Sequence, residues 1–268
     1  MTNGTTALGP SIALVTGGAG AGIGAGISTV MATERWHVVI ADRDGDAAEE
    51  LASSIVASGL SAEPLQLDVA IEEDVDASVD ALVSRLGSVD ALVNSAGVGL
   101  IAGLADIRAA EWDRLFAVDL RGAWLMSRAC LRHMLPNQRG VLIHIGSVQA
   151  LGAASGYGAY AAAKAGLVGM SRGIAADYGP FGIRSLVVHP GMVDSPQNRE
   201  IFANFGDPDV FIQEYLTSRQ LLPRLIAPQD VGAVVAFLAG PGAAAMTAAE
   251  VVVDGGSSAM AFDRRSEP

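Results

Sequence analysis

Tyr160 and Lys164 stand four residues apart in a stretch of helical character, so both side chains project from one face. A phenol with an ordinary pKa of about 10 is a poor base at neutral pH. An ammonium beside it favours the phenolate and brings proton exchange with an alcohol within reach. Ser147 comes 13 residues before Tyr160. It follows an apolar run at 141–145, where its hydroxyl can donate a hydrogen bond to the oxygen that reacts. Tyr-x-x-x-Lys alone is common on solvated helix faces. It gains meaning only with a serine at a strand end and a nucleotide-binding loop nearby.

Such a loop is present. Residues 16–24 read T-G-G-A-G-A-G-I-G, between the first apolar run and the first helical segment. Gly17, Gly18, Gly22 and Gly24, with Ile23, let backbone approach a pyrophosphate at the positive end of a helix. A plain tight turn would use glycines too. Asp42 ends the second apolar run, 18 residues after Gly24. A carboxylate there accepts hydrogen bonds from ribose hydroxyls and repels a 2′-phosphate, which selects NAD over NADP. A solvated turn residue is the plainer reading, and the neighbouring Arg43 could attract that phosphate.

The elements that must position these groups follow a simple rhythm. Short apolar runs at 12–15, 37–41, 64–67, 91–93, 141–145, 184–188 and 251–253 alternate with helical segments. The first helix runs to about residue 35, and the others lie at about 44–58, 71–86, 109–134, 157–178 and 228–238. Short strands that are apolar throughout and separated by helices form a parallel sheet covered on both faces. The expected fold is therefore α/β: one single-domain, Rossmann-type, doubly wound parallel sheet of about seven strands. Residues 192–226 break the rhythm and carry Phe202, Phe205, Phe211, Tyr215, Leu221 and Leu222. This is either a substrate lid or a pair of short helices packed on the body, and the two are compatible.

The bulk numbers narrow the partners. The chain has 268 residues, half of them apolar, 17% charged, and a net charge of −12. An acidic protein is poorly suited to nucleic acid. No apolar stretch has the length to span a bilayer, and the N-terminus lacks a signal-peptide pattern. The one cysteine, Cys130, falls in an apolar helical pattern and reads as a packed core thiol, which suits a reducing compartment. The expected location is the cytoplasm. His37, His133, His144 and His189 are scattered without ligand spacing, so no metal site is expected. Asp177 and Asp230 read as surface or capping carboxylates, and Trp112 and Trp124 as core or subunit packing.

Taken together, residues 16–24, Asp68–Val69, Asn94–Ser95–Ala96–Gly97, Ser147, Tyr160 with Lys164, the segment from Pro190–Gly191 to Ser195, and Val253–Asp254–Gly255–Gly256 resemble the short-chain dehydrogenase/reductase superfamily. The resemblance covers about residues 10–260. It implies that Tyr160 is the general acid/base, that Lys164 holds the nicotinamide ribose, and that Ser147 polarises the substrate oxygen. It further implies Asp68 and Val69 beside the adenine, and Asn94, Ala96 and Gly97 along the cofactor. Pro190, Gly191, Val193 and Ser195 then lie against the nicotinamide, Ser195 keeping the hydroxyl of the family's usual Thr. Dimers or tetramers built through the two long helices are also implied.

Three departures stand out. The glycine loop carries four residues where the family has three, leaving the first glycine open between Gly17 and Gly18. Asp119 replaces the usual active-site Asn; a carboxylate near Lys164 would offset its field on Tyr160 and raise the optimum pH for oxidation. Ala248 or Ala249 stands where a Gly commonly precedes the last strand, with little effect expected. The function expected is hydride transfer between NAD(H) and a secondary alcohol or ketone, hydrophobic or cyclic, with Leu151 and Tyr157 near the catalytic serine. A 3-oxoacyl-thioester reductase is the alternative, with Arg199, Arg219 and Arg224 available to an acyl carrier's phosphates. A non-catalytic NAD(H) sensor is the alternative of another class.

Overall fold

The computed structural model describes residues 11–203 and 206–260. Among these residues, seven strands form one parallel sheet: β1 (Ile12–Thr16), β2 (His37–Asp42), β3 (Ala62–Gln66), β4 (Ala91–Asn94), β5 (Gly140–Ile145), β6 (Ile183–Pro190) and β7 (Glu250–Val253). Their spatial order is β3-β2-β1-β4-β5-β6-β7. The order reverses between β1 and β4, where Leu14 pairs with Val39 on one side and Leu92 on the other. Outside the carboxyl ends of the strands at such a switch point a crevice opens, and it receives the ligand in this architecture.

Strands β1, β4 and β5 are buried at every position, which is why they read as unbroken apolar runs. Alternate residues feed two cores. Val15, Val38, Ile40, Ile143 and Val188 meet α1 (Ile23–Thr33), α2 (Gly45–Ala57) and α9 (Pro228–Ala239) on one face. Leu14, Val39, Leu92 and Leu142 meet α3 (Glu72–Leu86), α5 (Ala123–Asn137) and α6 (Gly158–Tyr178) on the other. Each fully buried Leu or Ile contributes about 1.5–3 kcal/mol. Helices α1 and α9 touch through Gly26: a Cβ there would stand 2.5 Å from the Pro228 carbonyl carbon.

The segment expected as one helix over 109–134 is two. Helix α4 (Ala109–Phe116) runs into a π-helical turn, Ala117–Gly122, before α5 begins. A π turn inserts a residue into the helical ladder and re-aims the side chains it carries, frequently at functional sites. Residues 192–226 contain two helices, α7 (Pro196–Ala203) and α8 (Pro208–Ser218), so the paired-helix reading holds. The ends of the segment are clasped: the Asp194 N–H donates to Ile226 O at 2.8 Å and the Ile226 N–H to Met192 O at 3.2 Å. Phe205 lies outside the described residues. Ahead of β7, Ala248 takes a left-handed φ of 55°, the conformation that favours the glycine missing there.

Candidate active site

A cleft of about 750 Å³ opens at the carboxyl ends of the strands. One wall is the glycine loop. Gly17 has a φ of 58°, and a Cβ on it would stand 2.7 Å from Ala96 Cα; on Gly24 it would stand 1.9 Å from Gly17 O. These two glycines let the loop fold tightly between β1 and β4. Gly22, by contrast, has open space where its Cβ would be. It is the N-cap of α1 and supplies no side-chain cap, so the helix's first N–H groups face the cleft for an anion to satisfy. Thr16 Oγ1 accepts from the N–H groups of Ser95 and Ala96 at 3.1 and 3.2 Å, tying the ends of β1 and β4 together. Asp42 is tied to this loop: its carboxylate accepts from the Ala19 N–H at 3.2 Å and still lines the cleft.

Ser147, Tyr160, Lys164 and Asp119 converge on the same cleft. Ser147 follows β5 in an extended conformation, and its Oγ accepts from the Gln149 N–H at 3.2 Å. Tyr160 and Lys164 sit on the first turns of α6, and the Lys164 Nζ lies 5.5 Å from the centre of the Tyr160 ring. Lys164, the single lysine of the chain, is buried. Its Nζ donates to Ile145 O at 3.1 Å and lies 3.1 Å from Asp119 Oδ2. Burial works against its charge, but the neighbouring Tyr160 and Asp119 outweigh it and hold the Lys164 pKa above the usual value. Asp119 is carried on the π turn, fully buried, with Oδ1 accepting from the Val98 N–H at 2.7 Å. The π turn can approach α6 because Gly166 lacks a Cβ, which would meet Leu120 at 2.7 Å.

The rest of the cleft contains Gly17, Gly22, Ile23, Gly24, Asp42, Asp68, Val69, Ala96, Gly97, Pro190, Gly191, Val193 and Ser195. Gly18 and Asn94 lie beneath the wall and not in it. A Cβ on Gly18 would stand 2.7 Å from Val15 O. The Asn94 Nδ2 is turned into the core towards Ala123 O, Ser127 Oγ and His144 Nδ1. The outer part of the cleft is formed by Ile101, Tyr157, Met192, Ile201, Phe202 and Tyr215. Leu151 is exposed and does not line it, and Phe211 packs behind Phe202 with ring centres 5.1 Å apart. Arg199 is paired with Asp194 and Asp209, and Arg224 with Asp230. Asp230 also caps α9, accepting from the Ala227 N–H at 2.8 Å.

Sequence reasoning missed Gln149 and Arg114, which also line the cleft. The periodicity of α4 could have placed Arg114 one turn before the π turn. Among the described residues no three His, Cys, Asp or Glu side chains cluster as a metal site would require, and no helix is long and apolar enough to cross a membrane.

Comparison with known proteins finds relatives over nearly the whole chain. A family model described as enoyl-(acyl carrier protein) reductase matches residues 18–258. The 2-(S)-hydroxypropyl-CoM dehydrogenase 3 of Xanthobacter autotrophicus is 34% identical over 92% of this chain and 96% of its own length. A cyclopentanol dehydrogenase of Comamonas is 32% identical over 92% of this chain and 97% of its own. Among solved structures, that of gox2181 superposes with a TM-score of 0.87 at 30% identity, covering 94% of this chain and 97% of that one.

Proposed function

The chain belongs to the short-chain dehydrogenase/reductase family, and from that membership we propose that it is an NAD-dependent dehydrogenase of apolar or cyclic secondary alcohols, run in reverse as a ketone reductase. The convergence of Ser147, Tyr160 and Lys164 on one cleft at the switch point carries this reading. A sensor that only binds has no use for a serine, a phenol and a buried ammonium gathered there.

The cleft fits a nicotinamide dinucleotide on two observations: the uncapped N-terminus of α1 with open space at Gly22, and the Asp42 carboxylate at the end of β2. Gly17, Gly22 and Gly24 would take the pyrophosphate, Asp42 the adenosine ribose, and Asp68 and Val69 the adenine. Lys164 would take the second ribose, with Ala96 and Gly97 alongside and Pro190, Gly191, Val193 and Ser195 at the nicotinamide. Bound there, the cofactor supplies the hydride acceptor or donor. The carboxylate of Asp42 favours the form without a 2′-phosphate.

Ser147 donates a hydrogen bond to the substrate oxygen, and Tyr160 removes the hydroxyl proton in oxidation or returns it in reduction. Lys164 places positive charge by the phenol. The apolar outer residues exclude water and accept a hydrocarbon ring or chain, as a relative named for cyclopentanol suggests. The chain works in the cytoplasm as a homodimer or homotetramer; the buried, unpaired Cys130 is consistent with the compartment.

Absorbance of reduced nicotinamide, followed with NAD⁺ or NADP⁺ and a panel of cyclic, aliphatic and hydroxyacyl alcohols, tests the reading. The expected result is turnover with NAD⁺ on apolar alcohols and a fall of about 100- to 10,000-fold in kcat for Tyr160→Phe. NADH binding without turnover of any alcohol or ketone would replace it with the sensor. Preference for hydroxyacyl thioesters would replace it with the acyl reductase, the activity class named by the matching family model.

A further inference from the structure

His189 lies on β6 one residue before Pro190, and its side chain is wholly buried. Its two ring nitrogens face in opposite directions. Nδ1 is 3.1 Å from the backbone nitrogen of Ser147 and 2.9 Å from the Ser147 carbonyl oxygen. Nε2 is 3.1 Å from Glu250 Oε2. The β6–β7 register sets Glu250 opposite Val187, and the two-residue period of a strand then brings Glu250 and His189 to one face. The other Glu250 oxygen accepts from Arg172 Nη2 at 2.6 Å. Arg172 is on α6, about two turns beyond Lys164. Gly146 makes room for the ring: a Cβ there would stand 2.6 Å from His189 Nδ1. The chain Arg172–Glu250–His189–Ser147 starts on the helix that carries Tyr160 and Lys164 and ends on the turn that carries Ser147.

Hydrogen-bond satisfaction sets the polarity of this chain. The Ser147 carbonyl already accepts from the Ala150 N–H at 2.9 Å. The Ser147 N–H has no acceptor other than Nδ1 among the described residues. A carboxylate opposite Nε2 can only accept, so Nε2 carries the hydrogen and Nδ1 keeps a lone pair for Ser147.

Resting on the reading of Ser147 as the group that holds the substrate oxygen, we propose that His189 is a positioning residue for Ser147, its tautomer set by Glu250. Holding the serine peptide fixes the direction of the Cα–Cβ bond and so the place of the hydroxyl. Freed from His189, the hydroxyl is misplaced by a fraction of an ångström, which affects the reacting geometry more than substrate affinity.

Two measurements test this. Nitrogen NMR of ¹⁵N-histidine-labelled protein requires no turnover, and the His189 signals are identified by their loss in His189→Asn. The expected parent ring is neutral, protonated at Nε2 and bare at Nδ1, and Glu250→Ala shifts it towards the Nδ1–H tautomer. An Nδ1–H or doubly protonated parent ring, or a Glu250→Ala spectrum identical to the parent, overturns the proposal. The second measurement compares His189→Asn, which keeps an acceptor near the Nδ1 position, with His189→Gln, which reaches only towards Glu250. The Gln variant should lose about 10- to 100-fold in kcat and the Asn variant no more than about threefold, with alcohol KM and melting temperature alike in both. Equal kcat values overturn it. A parent that oxidises no alcohol defeats the functional reading instead, and the NMR result then decides the role of His189 alone.

Discussion

Lys164 shares its buried site with Asp119 at 3.1 Å while lying 5.5 Å from the Tyr160 ring. Two opposite charges this close act on a third group largely as a dipole, so the ammonium does less for the phenol than it would alone. Asp119→Asn keeps the acceptor for the Val98 N–H, bonded at 2.7 Å, and removes only the charge. The pH at half-maximal kcat for oxidation should then move down by about one unit; superimposable pH–rate curves would show that the pair has no catalytic consequence. Asp119→Ala is a different experiment, because it strands a buried ammonium without its partner. It should cost about 3–5 kcal/mol in urea-unfolding stability. The single lysine makes the first result easy to check, since ¹⁵N-lysine labelling gives one side-chain signal, that of Lys164, which should titrate at lower pH in the Asn variant.

At the level of elements, what was legible in the sequence was what burial on both faces writes into it. Parallel strands such as 141–145 appear as unbroken apolar runs, and all seven were found. The π turn was not legible, because its one weak helix former, Gly122, is tolerated inside a helix and a helical period continues plausibly through residues 117–122. Helices α7 and α8 did leave signals: Pro196 and Pro208 each stand at the first position of a helix, and Asp207 caps the second. Within the site, the meeting of Ser147, Tyr160 and Lys164 in one cleft was expected from their spacing only when joined to the glycine loop and the strand end. The His189–Glu250 contact spans 61 residues and arises from strand register, which no local pattern encodes. Two backbone predictions follow from this geometry. Gly26→Ala sets a methyl against the Pro228 backbone and should lower stability by about 1–3 kcal/mol, read in urea. Ala248→Gly should raise it by up to about 1 kcal/mol, since a left-handed φ of 55° strains any residue with a Cβ.

Across the whole molecule, stability against pH is bounded by two groups that can change charge only when the chain opens. His144 is buried between β4 and β6, with Asn94 and Ser185 at its ring nitrogens, and burial pushes its pKa down from 6.5 to about 4. Cys130 is buried under α5, and burial pushes its thiol up from 9.0 to about 12. As pH falls below 6.5, the unfolded chain binds a proton at His144 that the folded chain refuses. Stability therefore declines with one proton's slope until about pH 4, by about 3 kcal/mol in all. As pH rises above 9, the unfolded chain loses the Cys130 proton and the folded one keeps it, costing up to about 4 kcal/mol by pH 12. The carboxylates held low by arginine partners, such as Glu63 beside Arg85 and Asp230 beside Arg224, add their loss only below about pH 4.5, where their unfolded forms begin to protonate. Urea titrations from pH 4.5 to 10 should thus give a plateau between about 6.5 and 9 with a slope on each side. His144→Asn should flatten the acid side above pH 4.5 and Cys130→Ser the alkaline side, each leaving the other limb in place. An acid slope that survives His144→Asn would mean that another group, and not His144, takes up the proton on unfolding.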